Sequence, residues 1–447
     1  MERFEAPKGT KDIFGKDMFI RYYLERLFER LMILHGYTHI QTPIFESAKL
    51  FNRGVGEGSD IVNKEMYLFT DKGGREMALR PEFTAGVIRA LISNKLYTKP
   101  LPIKLGYGGP AFRYERPQAG RFRQFHQLGV EVFNNDTSMD TFEVLLLVRH
   151  YFVSVELDQK VEIVINALGN EDEIIQYKEA LTKYFKAKVK NMCPDCQKRF
   201  ETNILRILDC KNEEDRVIIE KAPKLSDFVS KESTAALETM VNALKSMNFE
   251  TRIDPYLVRG LDYYSGIVFE IRARDNGLAL GGGGQYSKLV QELGGPDLKG
   301  VGMSLGLDRV ASVFEKAMEE QGVDFEKEPA QNFAILNLVD DPQKKYLGYE
   351  ILDSLRQLNF FCYIDNQAGS IGKKISRAEK NKTEMAIIIG EDEINNHQIT
   401  LQNLHSREKY KIELNNDTMY EEIFRLHNAY FNNNLEEEEN NDEETPV

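Results

Sequence analysis

Cysteines and long apolar runs are scarce in this sequence, and each shortage excludes a class of protein. The 447 residues include four cysteines, too few for a disulfide framework, so we expect reduced thiols. No apolar run approaches the length of a membrane span. The first segment, MERFEAPKGTKDIFG, has acidic residues and no apolar stretch, so no signal peptide is visible. We therefore expect a cytoplasmic protein that makes no membrane contact.

The chain also lacks an excess of positive charge. Its formal net charge is −13, and seven acidic residues in the last twelve leave −6 for the remainder. This balance argues against a nonspecific nucleic-acid binder and predicts no DNA partner. Any contact with RNA must then use local basic patches.

Several common motifs are missing. SIGKK at 370–374 lacks the spacing of a phosphate-binding P-loop, and GVGMSLG at 300–306 follows no strand of a βαβ unit. Cys193 and Cys196 form a CxxC pair with Cys210 as a possible third ligand, but no partner pair has the spacing of a zinc site. We predict structural thiols and assign no metal to protein side chains.

The sequence contains instead a dense group of arginines within residues 111–133, AFRYERPQAGRFRQFHQLGVEVF. Its four arginines are Arg113, Arg116, Arg121 and Arg123. Arginine is always charged, and its planar fork gives two hydrogen bonds to phosphate oxygens, so the group predicts phosphate chemistry. The alternative is a solvated, salt-bridged hairpin. We interpret His126, within the same stretch, as a packing or hydrogen-bonding residue.

Apolar patterning divides the chain. Alternating runs separated by few helices predict a largely antiparallel sheet in the first part, and helical spacing predicts an amphipathic helix over 17–35. The Lys/Glu-rich segment 171–240 predicts a helical insertion. Beyond a polar linker at 322–332, strands alternate with helices such as 343–358, which predicts a separate α/β domain.

Four segments carry a family resemblance. FRYERPQAGRFRQFHQLGVE resembles motif 2 of class II aminoacyl-tRNA synthetases, in the form of the histidyl-tRNA synthetase family. YTHIQTPIFE resembles motif 1, GVGMSLGLDRV resembles motif 3, and LVRGLDYYSGIVFE at 257–270 resembles a histidine-specific block. They occur in the family's order and spacing over nearly the whole chain, while class I signatures of the HIGH and KMSKS type are absent.

The resemblance implies an α+β fold, in which the antiparallel sheet of the class II synthetases is flanked by helices. The catalytic domain would span 1–325 and contain the helical insertion at 171–240. An α/β anticodon-binding domain would span 331–427, followed by an acidic tail at 428–447 that is too polar to bury a core. Motif 1 implies a homodimer. The implied activity is that of a histidine–tRNA ligase, which forms histidyl-adenylate and pyrophosphate from L-histidine and ATP and then esterifies the 3′-terminal adenosine of tRNA-His.

Adenylate formation builds negative charge on phosphoryl oxygens, so fixed cations dominate its catalysis. By resemblance, Arg113 and Arg259 contact the α-phosphate and are the catalytic residues. Arg121 and Arg309 hold the γ-phosphate end, and Phe125 stacks beneath the adenine. Arg116 and Arg123 of the same stretch are left as structural or RNA-facing side chains.

For Arg309, the competing interpretation is a helix salt bridge with Asp308 or Glu315. The resemblance also implies that Mg²⁺ accompanies ATP, because the ion neutralises the polyphosphate and steadies the leaving pyrophosphate.

The resemblance assigns seven side chains to histidine: Glu82, Thr84, Gln127, Glu131, Arg259, Tyr263 and Tyr264. The first three bind the α-amino end, while Glu131 and the two tyrosines line the imidazole pocket. Ordinary strand packing is the alternative for the tyrosine pair. A pocket that hydrogen-bonds both ring nitrogens rejects other side chains, so we expect no editing domain and interpret the insertion as helping to hold tRNA.

Three positions depart from the family pattern. Phe83 stands where bacterial members commonly have glycine, which places a bulky ring beside the amino-acid site. Gln285 and Ser287 replace the more usual arginine and aspartate after the glycine run GGGG at 281–284. We expect local retuning of the site and retained activity.

Candidates for tRNA contact are Gln118 and the basic residues Lys373, Lys374 and Arg377, for which a solvated helix face is the alternative. Two other functions remain in view. One is a noncatalytic histidine sensor that resembles the regulatory subunit of ATP phosphoribosyltransferase, and the other is a class II synthetase for another amino acid. The motif 2 arginines, LVRGLDYYSG and the C-terminal domain disfavour both.

Overall fold

The computed structural model describes residues 4–56, 59, 61–116, 120–259, 263–323, 331–339, 341–415 and 418–429. The chain divides into two compact units between residues 324 and 325. No described helix is long and apolar enough to cross a membrane.

Within its described residues, the first unit is built on an eight-stranded sheet in which only the two outermost pairings are parallel. This confirms the predicted antiparallel sheet. In spatial order its strands are β1 (Thr38–His39), β5 (Ile103–Phe112), β6 (Gln124–Asn134), β11 (Lys299–Gly306), β10 (Ala279–Tyr286), β9 (Ile267–Ala273), β7 (Val161–Ala167) and β8 (Thr251–Ile253).

Among the helices that pack on this sheet are α1 (Gly15–Leu34), α4 (Ser138–Ser154) and α10 (Leu307–Glu320). In α1, the buried residues Ile20, Leu24, Phe28 and Leu31 recur at three- and four-residue spacing, which confirms the predicted amphipathic helix. Arg21 of α1 and Asp308 of α10 form a buried ion pair, and Asp308 Oδ2 also accepts a hydrogen bond from the backbone N–H of His126 at 2.9 Å. This network attaches both helices to β6.

A smaller sheet lies before the arginine stretch in sequence. It contains β2 (Phe45–Ser47), β4 (Glu76–Leu79) and β3 (Leu68–Thr70), in that spatial order, with both pairings antiparallel. Its neighbours in the chain are α2 (Ala48–Val55) and α3 (Thr84–Ser93), and the short α9 (Leu289–Glu292) contacts α2.

The segment between β7 and β8 is the predicted helical insertion. Its helices are α5 (Glu171–Phe185), α6 (Pro194–Thr202), α7 (Glu213–Ile219) and α8 (Lys231–Ser246). Asn170 caps α5 by accepting a hydrogen bond from the backbone of Glu173, whose side chain in turn accepts one from the backbone of Asn170. An apolar cluster that includes Tyr177, Phe185 and Ile207 packs the insertion against Val164 of β7 and Val268 of β9.

The second unit is the predicted α/β domain. Its described strands form a five-stranded sheet whose first two pairings are parallel and whose last two are antiparallel. In spatial order the strands are β13 (Cys362–Asp365), β12 (Gln331–Asn337), β14 (Thr383–Ile389), β15 (Gln398–Asn403) and β16 (Lys409–Glu413). The helices are α11 (Pro342–Gln357), α12 (Ile371–Lys380), α13 (Glu391–Asn395) and a last helix over 419–429.

Candidate active site

The loop between β4 and α3 places a buried carboxylate at a helix N-terminus. Glu82 accepts backbone hydrogen bonds from Thr84 at 2.5 Å and from Ala85 at 2.9 Å. Burial raises the pKa of Glu82, and the two N–H groups offset part of that rise. The side chain is therefore fixed in place before any ligand arrives.

Glu131 is the central carboxylate of the pocket. It is 1% exposed on β6 and accepts hydrogen bonds from the hydroxyls of Thr84 at 2.6 Å, Tyr286 at 2.7 Å and Tyr107 at 3.2 Å. Burial raises the pKa of Glu131 to about 7, although the hydroxyl donors act in the opposite direction. A carboxylate poised near neutrality and aimed into a pocket suits recognition of a nitrogen heterocycle, whose own pKa is about 6.5 for imidazole.

Aromatic and amide side chains complete this pocket. The rings of Tyr263 and Tyr264 have centroids 4.6 Å apart, and Tyr263 meets Tyr286 edge to face at 5.7 Å. Burial raises the pKa values of both Tyr263 and Tyr264, so the phenols stay neutral. Gln127 is buried, and its Oε1 accepts no hydrogen bond from any described residue, which leaves an acceptor for a substrate ammonium.

Glycines on β10 and β11 make room for these side chains. A Cβ atom on Gly282 would lie 2.7 Å from Nη1 of Arg259, and one on Gly284 would lie 2.9 Å from the ring of Tyr264. Gly302 is the cross-strand partner of Glu131, and a Cβ there would overlap its carboxylate. The glycine runs are thus the floor of the pocket.

Arg113 lies between the loop that contains Glu82 and the ring of Phe125. Its Nε donates to the carbonyl of Pro81 at 2.9 Å, directly before Glu82, and its guanidinium lies 5.2 Å from the ring centroid of Phe125. The arginine predicted for the α-phosphate and the ring predicted for adenine are therefore neighbours.

Arg259 is held by a carboxylate from β9. Its Nη1 donates to Glu270 at 2.9 Å, and Arg272 binds the other oxygen of Glu270. The buried Nε of Arg259 has no hydrogen-bond partner among the described residues. This Nε is a donor that can bind a further acceptor.

Arg309 and Arg121 form the third part of the cation cluster. Arg309 donates from Nη1 to the carbonyl of Ala279 at 2.6 Å and from Nε to that of Gly120 at 3.2 Å. Its pKa is lowered by burial and by the nearby cation Arg121, which lies 3.3 Å from a carboxylate oxygen of Glu115. Cations gathered against their mutual repulsion are suited to an anion with several charges.

The competing salt-bridge interpretation of Arg309 is wrong. Asp308 pairs with Arg21, and Glu315 pairs with Lys16 at 2.8 Å, so both carboxylates are already engaged. The other two arginines of the stretch differ from the cluster. The guanidinium of Arg123 stacks 3.8 Å from the centroid of Tyr114, whereas Arg116 is exposed.

The three departures from the family pattern have local explanations. The Phe83 ring is buried between Tyr107, which stacks on it at 4.5 Å, and the Arg80 guanidinium, 4.0 Å from its centroid. Gln285 accepts from the N–H of Ile267 and donates to Thr141 Oγ1, both at 2.8 Å. The hydroxyl of Ser287 lies 3.0 Å from that of Ser265. Each of the three side chains is thus held by neighbouring residues of the first unit.

Tyr107 and Tyr286, which hold Glu131, are absent from the set predicted from the sequence. The signal for Tyr107 is its register: it pairs with Gly129, two residues before Glu131, and therefore lies on the same face of the sheet. Tyr286 ends the glycine run, and the sequence alone does not distinguish its hydroxyl from a packing tyrosine.

The predicted tRNA contacts fall elsewhere. Gln118 lies outside the described residues. In the second unit, Lys373 is exposed on α12, whereas Lys374 is 4% exposed and donates to the carbonyls of Asp365 and Gln367 at 2.8 and 2.7 Å. Lys374 is thereby committed to a loop, which corrects its candidacy as a phosphate contact. Arg377 donates to the Asp365 carboxylate at 2.8 Å and stays partly exposed.

A carboxylate lies beside the three cysteines of the insertion. Cys193, Cys196 and Cys210 converge with Asp215, a fourth possible ligand that the sequence interpretation did not include. His126 contacts Glu25 at 3.0 Å, in agreement with its interpretation as a hydrogen-bonding residue.

Family comparisons cover both units. A family model described as histidyl-tRNA synthetase matches residues 9–310, and one described as an anticodon binding domain matches residues 333–417. The histidine–tRNA ligase of Listeria monocytogenes serovar 1/2a is 38% identical over 410 residues, which cover 91% of this chain and 95% of the relative. That of Halothermothrix orenii is 38% identical over 425 residues, 94% of this chain and 99% of the relative.

Solved structures show the same similarity. The apo histidyl-tRNA synthetase of S. aureus aligns with a TM-score of 0.75 and 33% identity, covering 94% of this chain and all of that one. An ATP phosphoribosyltransferase regulatory subunit/histidyl-tRNA synthetase from Bacillus halodurans aligns with a TM-score of 0.62 and 20% identity, covering 87% of this chain and 98% of that one. At that identity the second match shows a shared fold alone.

Proposed function

The chain belongs to the histidyl-tRNA synthetase family, and from this premise we propose how its residues divide the family's reaction. The chain is a histidine–tRNA ligase: it activates L-histidine with ATP and transfers the histidyl group to tRNA-His. The roles of the individual side chains below are the proposal.

In the first step, a carboxylate oxygen of histidine attacks the α-phosphorus of ATP, and the bond to pyrophosphate breaks. Negative charge grows on the phosphoryl oxygens and on the leaving group. Arg113 and Arg259 stabilise the charge at the α-phosphate, where the unpaired Nε of Arg259 supplies a donor. Arg121 and Arg309 hold the far end of the triphosphate, and Phe125 stacks on the adenine.

Histidine is selected by the buried polar groups. Glu131 binds an imidazole nitrogen, with Tyr263 and Tyr264 lining the ring. Glu82, Thr84 and Gln127 bind the ammonium group. An amino acid without ring nitrogens would form no hydrogen bond with Glu131 and would bury this polar pocket without compensation. In the second step, a hydroxyl of the tRNA 3′-terminal adenosine attacks the histidyl carbonyl, and AMP leaves.

The observation that carries this proposal is the hydrogen bond from Arg113 Nε to the carbonyl of Pro81. It joins the cation cluster to the loop that begins the amino-acid pocket at Glu82. A carboxylate bound by the pocket therefore lies beside the phosphate-binding arginines, the arrangement that adenylate formation requires.

Amino-acid-dependent ATP/pyrophosphate exchange with a panel of amino acids tests the proposal. Exchange with histidine alone is the expected result. Exchange with a different amino acid would show that the pocket does not select histidine. No exchange with any amino acid would favour the histidine sensor. The sensor interpretation is disfavoured by the retained arginine cluster and by the match of an anticodon-binding model to residues 333–417.

Mg²⁺ is the metal that we propose to accompany ATP. The residue that would hold it is Glu115, whose buried Oε2 accepts no hydrogen bond from a described residue, although Arg121 Nη1 lies 3.3 Å from it. Carboxylate oxygens are preferred Mg²⁺ ligands, and the bound ion neutralises polyphosphate charge.

A homodimer is the assembly that we propose, formed through the smaller sheet. Ile44, Phe45, Leu68 and Phe69 are 40–54% exposed there, and the rings of Phe45 and Phe69 are 6.1 Å apart. Exposed apolar patches of this kind mark protein interfaces, and this one contains part of motif 1. We also propose that the protein acts in the cytoplasm, which its four free thiols favour.

A further inference from the structure

Three thiols and a carboxylate converge inside the helical insertion. Cys193 directly precedes α6, Cys196 lies in its first turn, and Cys210 follows the short helix Ile204–Asp209. Asp215 lies in the first turn of α7. Their Sγ and carboxylate oxygen atoms all lie within 4.8 Å of one another. Because the four residues come from three segments, their meeting is a product of the fold.

The spacing of these atoms fits a tetrahedral ion. A Zn–S bond of about 2.3 Å gives a tetrahedral S···S edge of about 3.8 Å. The Sγ atoms of Cys193 and Cys210 are 3.7 Å apart, and Sγ of Cys210 is 3.3 Å from Oδ2 of Asp215. Two edges of a mixed sulfur and oxygen tetrahedron are therefore already present.

Asp215 is a buried carboxylate that lies beside the thiols. Asp215 is 2% exposed, and its oxygens contact the backbone N–H of Cys193 at 3.2 and 3.3 Å beside the thiol of Cys210. Its described contacts are these backbone and thiol donors, with no basic side chain among them. A buried carboxylate surrounded by thiols is a suitable ligand for a divalent ion, whose charge would offset the cost of burying it.

Backbone N–H groups point at two of the sulfurs. The N–H of Cys196 donates to Sγ of Cys193, and that of Asn212 donates to Sγ of Cys210, both at 3.5 Å. Such bonds orient ligands and favour the thiolate that a metal binds. A disulfide between Cys193 and Cys210 is the alternative, but it would not explain why Cys196 and Asp215 lie beside these two sulfurs.

We propose that Cys193, Cys196, Cys210 and Asp215 bind one structural zinc ion. Thiolate-rich, closed tetrahedral sites favour zinc over magnesium or calcium. The ion joins α6 to α7, which have nine and seven residues and are too short to be stable alone. The site is independent of histidine activation, so its failure and that of the proposed function are separately visible.

Metal analysis of the purified full chain is the first test. We expect about one zinc per chain, lost in Cys196→Ser, Cys210→Ser and Asp215→Asn. Cys362→Ser is the matched control, because Cys362 is the remaining cysteine and lies on β13 of the other unit; it should retain the zinc. Zinc that persists in all three insertion variants, or its absence from the wild-type chain, would overturn the proposal.

Cobalt substitution tests the site in the wild-type chain and therefore does not depend on the folding of a variant. Co²⁺ added to the zinc-free wild-type chain should give the intense visible bands of a tetrahedral ion and a thiolate charge-transfer band. Asp215→Cys should make that band about one third more intense, since three thiolates become four. Zinc removal should lower the thermal unfolding temperature reversibly. A mass lower by two hydrogens, which marks a disulfide in the freshly purified chain, would contradict the site.

Discussion

Glu131 and Gly302 are direct partners across β6 and β11, and the Glu131 carboxylate fills the space that a side chain at residue 302 would occupy. The substrate pocket thus depends on the absence of a methyl group on the neighbouring strand.

Gly302→Ala should displace Glu131 and weaken histidine binding. We expect the KM for histidine to rise on the order of tenfold and stability to fall by about 1–3 kcal/mol, because the added methyl group overpacks a buried site. Steady-state exchange kinetics and thermal unfolding measure both. Gly306→Ala on the same strand is the control, since its Cβ would meet nothing closer than 3.6 Å. Equal effects of the two substitutions would contradict the prediction.

The raised pKa of Glu131 should appear in the pH dependence of stability. Between its ordinary pKa of 4.5 and the folded value of about 7, the folded chain keeps a proton that the unfolded chain has released. Stability should therefore fall as pH rises through this window. The difference between a pKa of 4.5 and one of about 7 corresponds to about 3 kcal/mol of folding stability. This stability is fully present at acidic pH and is fully lost once the pH rises past about 7.

Denaturant unfolding of the wild-type chain and of Glu131→Gln, from about pH 5 to about pH 8, measures this term by difference. The glutamine preserves the shape but does not titrate, so the stability of the wild type relative to the variant should decline with pH. A constant difference would mean that Glu131 stays ionised throughout.

Arg259→Lys should lower histidine-dependent pyrophosphate exchange on the order of a hundredfold, because lysine lacks the fork that reaches both Glu270 and a phosphate. The matched control is Arg272→Lys, which changes the other partner of Glu270. It should leave exchange nearly unchanged. If both variants lose activity alike, Arg259 acts only by orienting Glu270.

The second unit should contact tRNA through the exposed lysines of α12. Because Lys374 and Arg377 are engaged with the Asp365 loop, we choose Lys373→Glu with Lys380→Glu. Their reversal should weaken tRNA binding on the order of tenfold and reduce its salt dependence. Pyrophosphate exchange should be unaffected. The control reverses Lys409 and Lys411, exposed on β16, and unchanged affinity in the α12 variant would remove this surface from consideration.

Phe45→Lys should dissociate the dimer, since a charge replaces an exposed ring within the apolar patch of the smaller sheet. Light scattering or sedimentation would measure the mass. Ile175→Lys, at an equally exposed apolar position on α5, should leave the assembly intact. A wild-type chain that is monomeric and active would exclude this interface.

Helix α1 and the helical insertion could be predicted because their signals are local, whereas α4 and α10 were not predicted. Helix α1 repeats its apolar residues over five turns, while Gln124–Asn134 is buried along most of its length. The family motifs added the roles of side chains that no periodicity distinguishes. Those roles remain predictions.

Strand β10 was not predicted, because four consecutive glycines are poor strand formers. Its neighbours β9 and β11 supply the hydrogen bonds that hold it extended, which is a long-range effect. Asp215 was not predicted as a companion of the cysteines for the same reason, because its position depends on long-range packing. Its approach to Cys193 depends on the packing of α6 against the segment before α7, and no short spacing in the sequence encodes that distance.

Arg309 is tied to two backbone carbonyls, so its rotamers are already restricted without ATP. A free arginine gives up roughly 2 kcal/mol of side-chain conformational entropy when a ligand immobilises it. Here folding has already imposed that loss. In the role that we propose for Arg309 at the triphosphate, binding would not be offset by ordering this side chain.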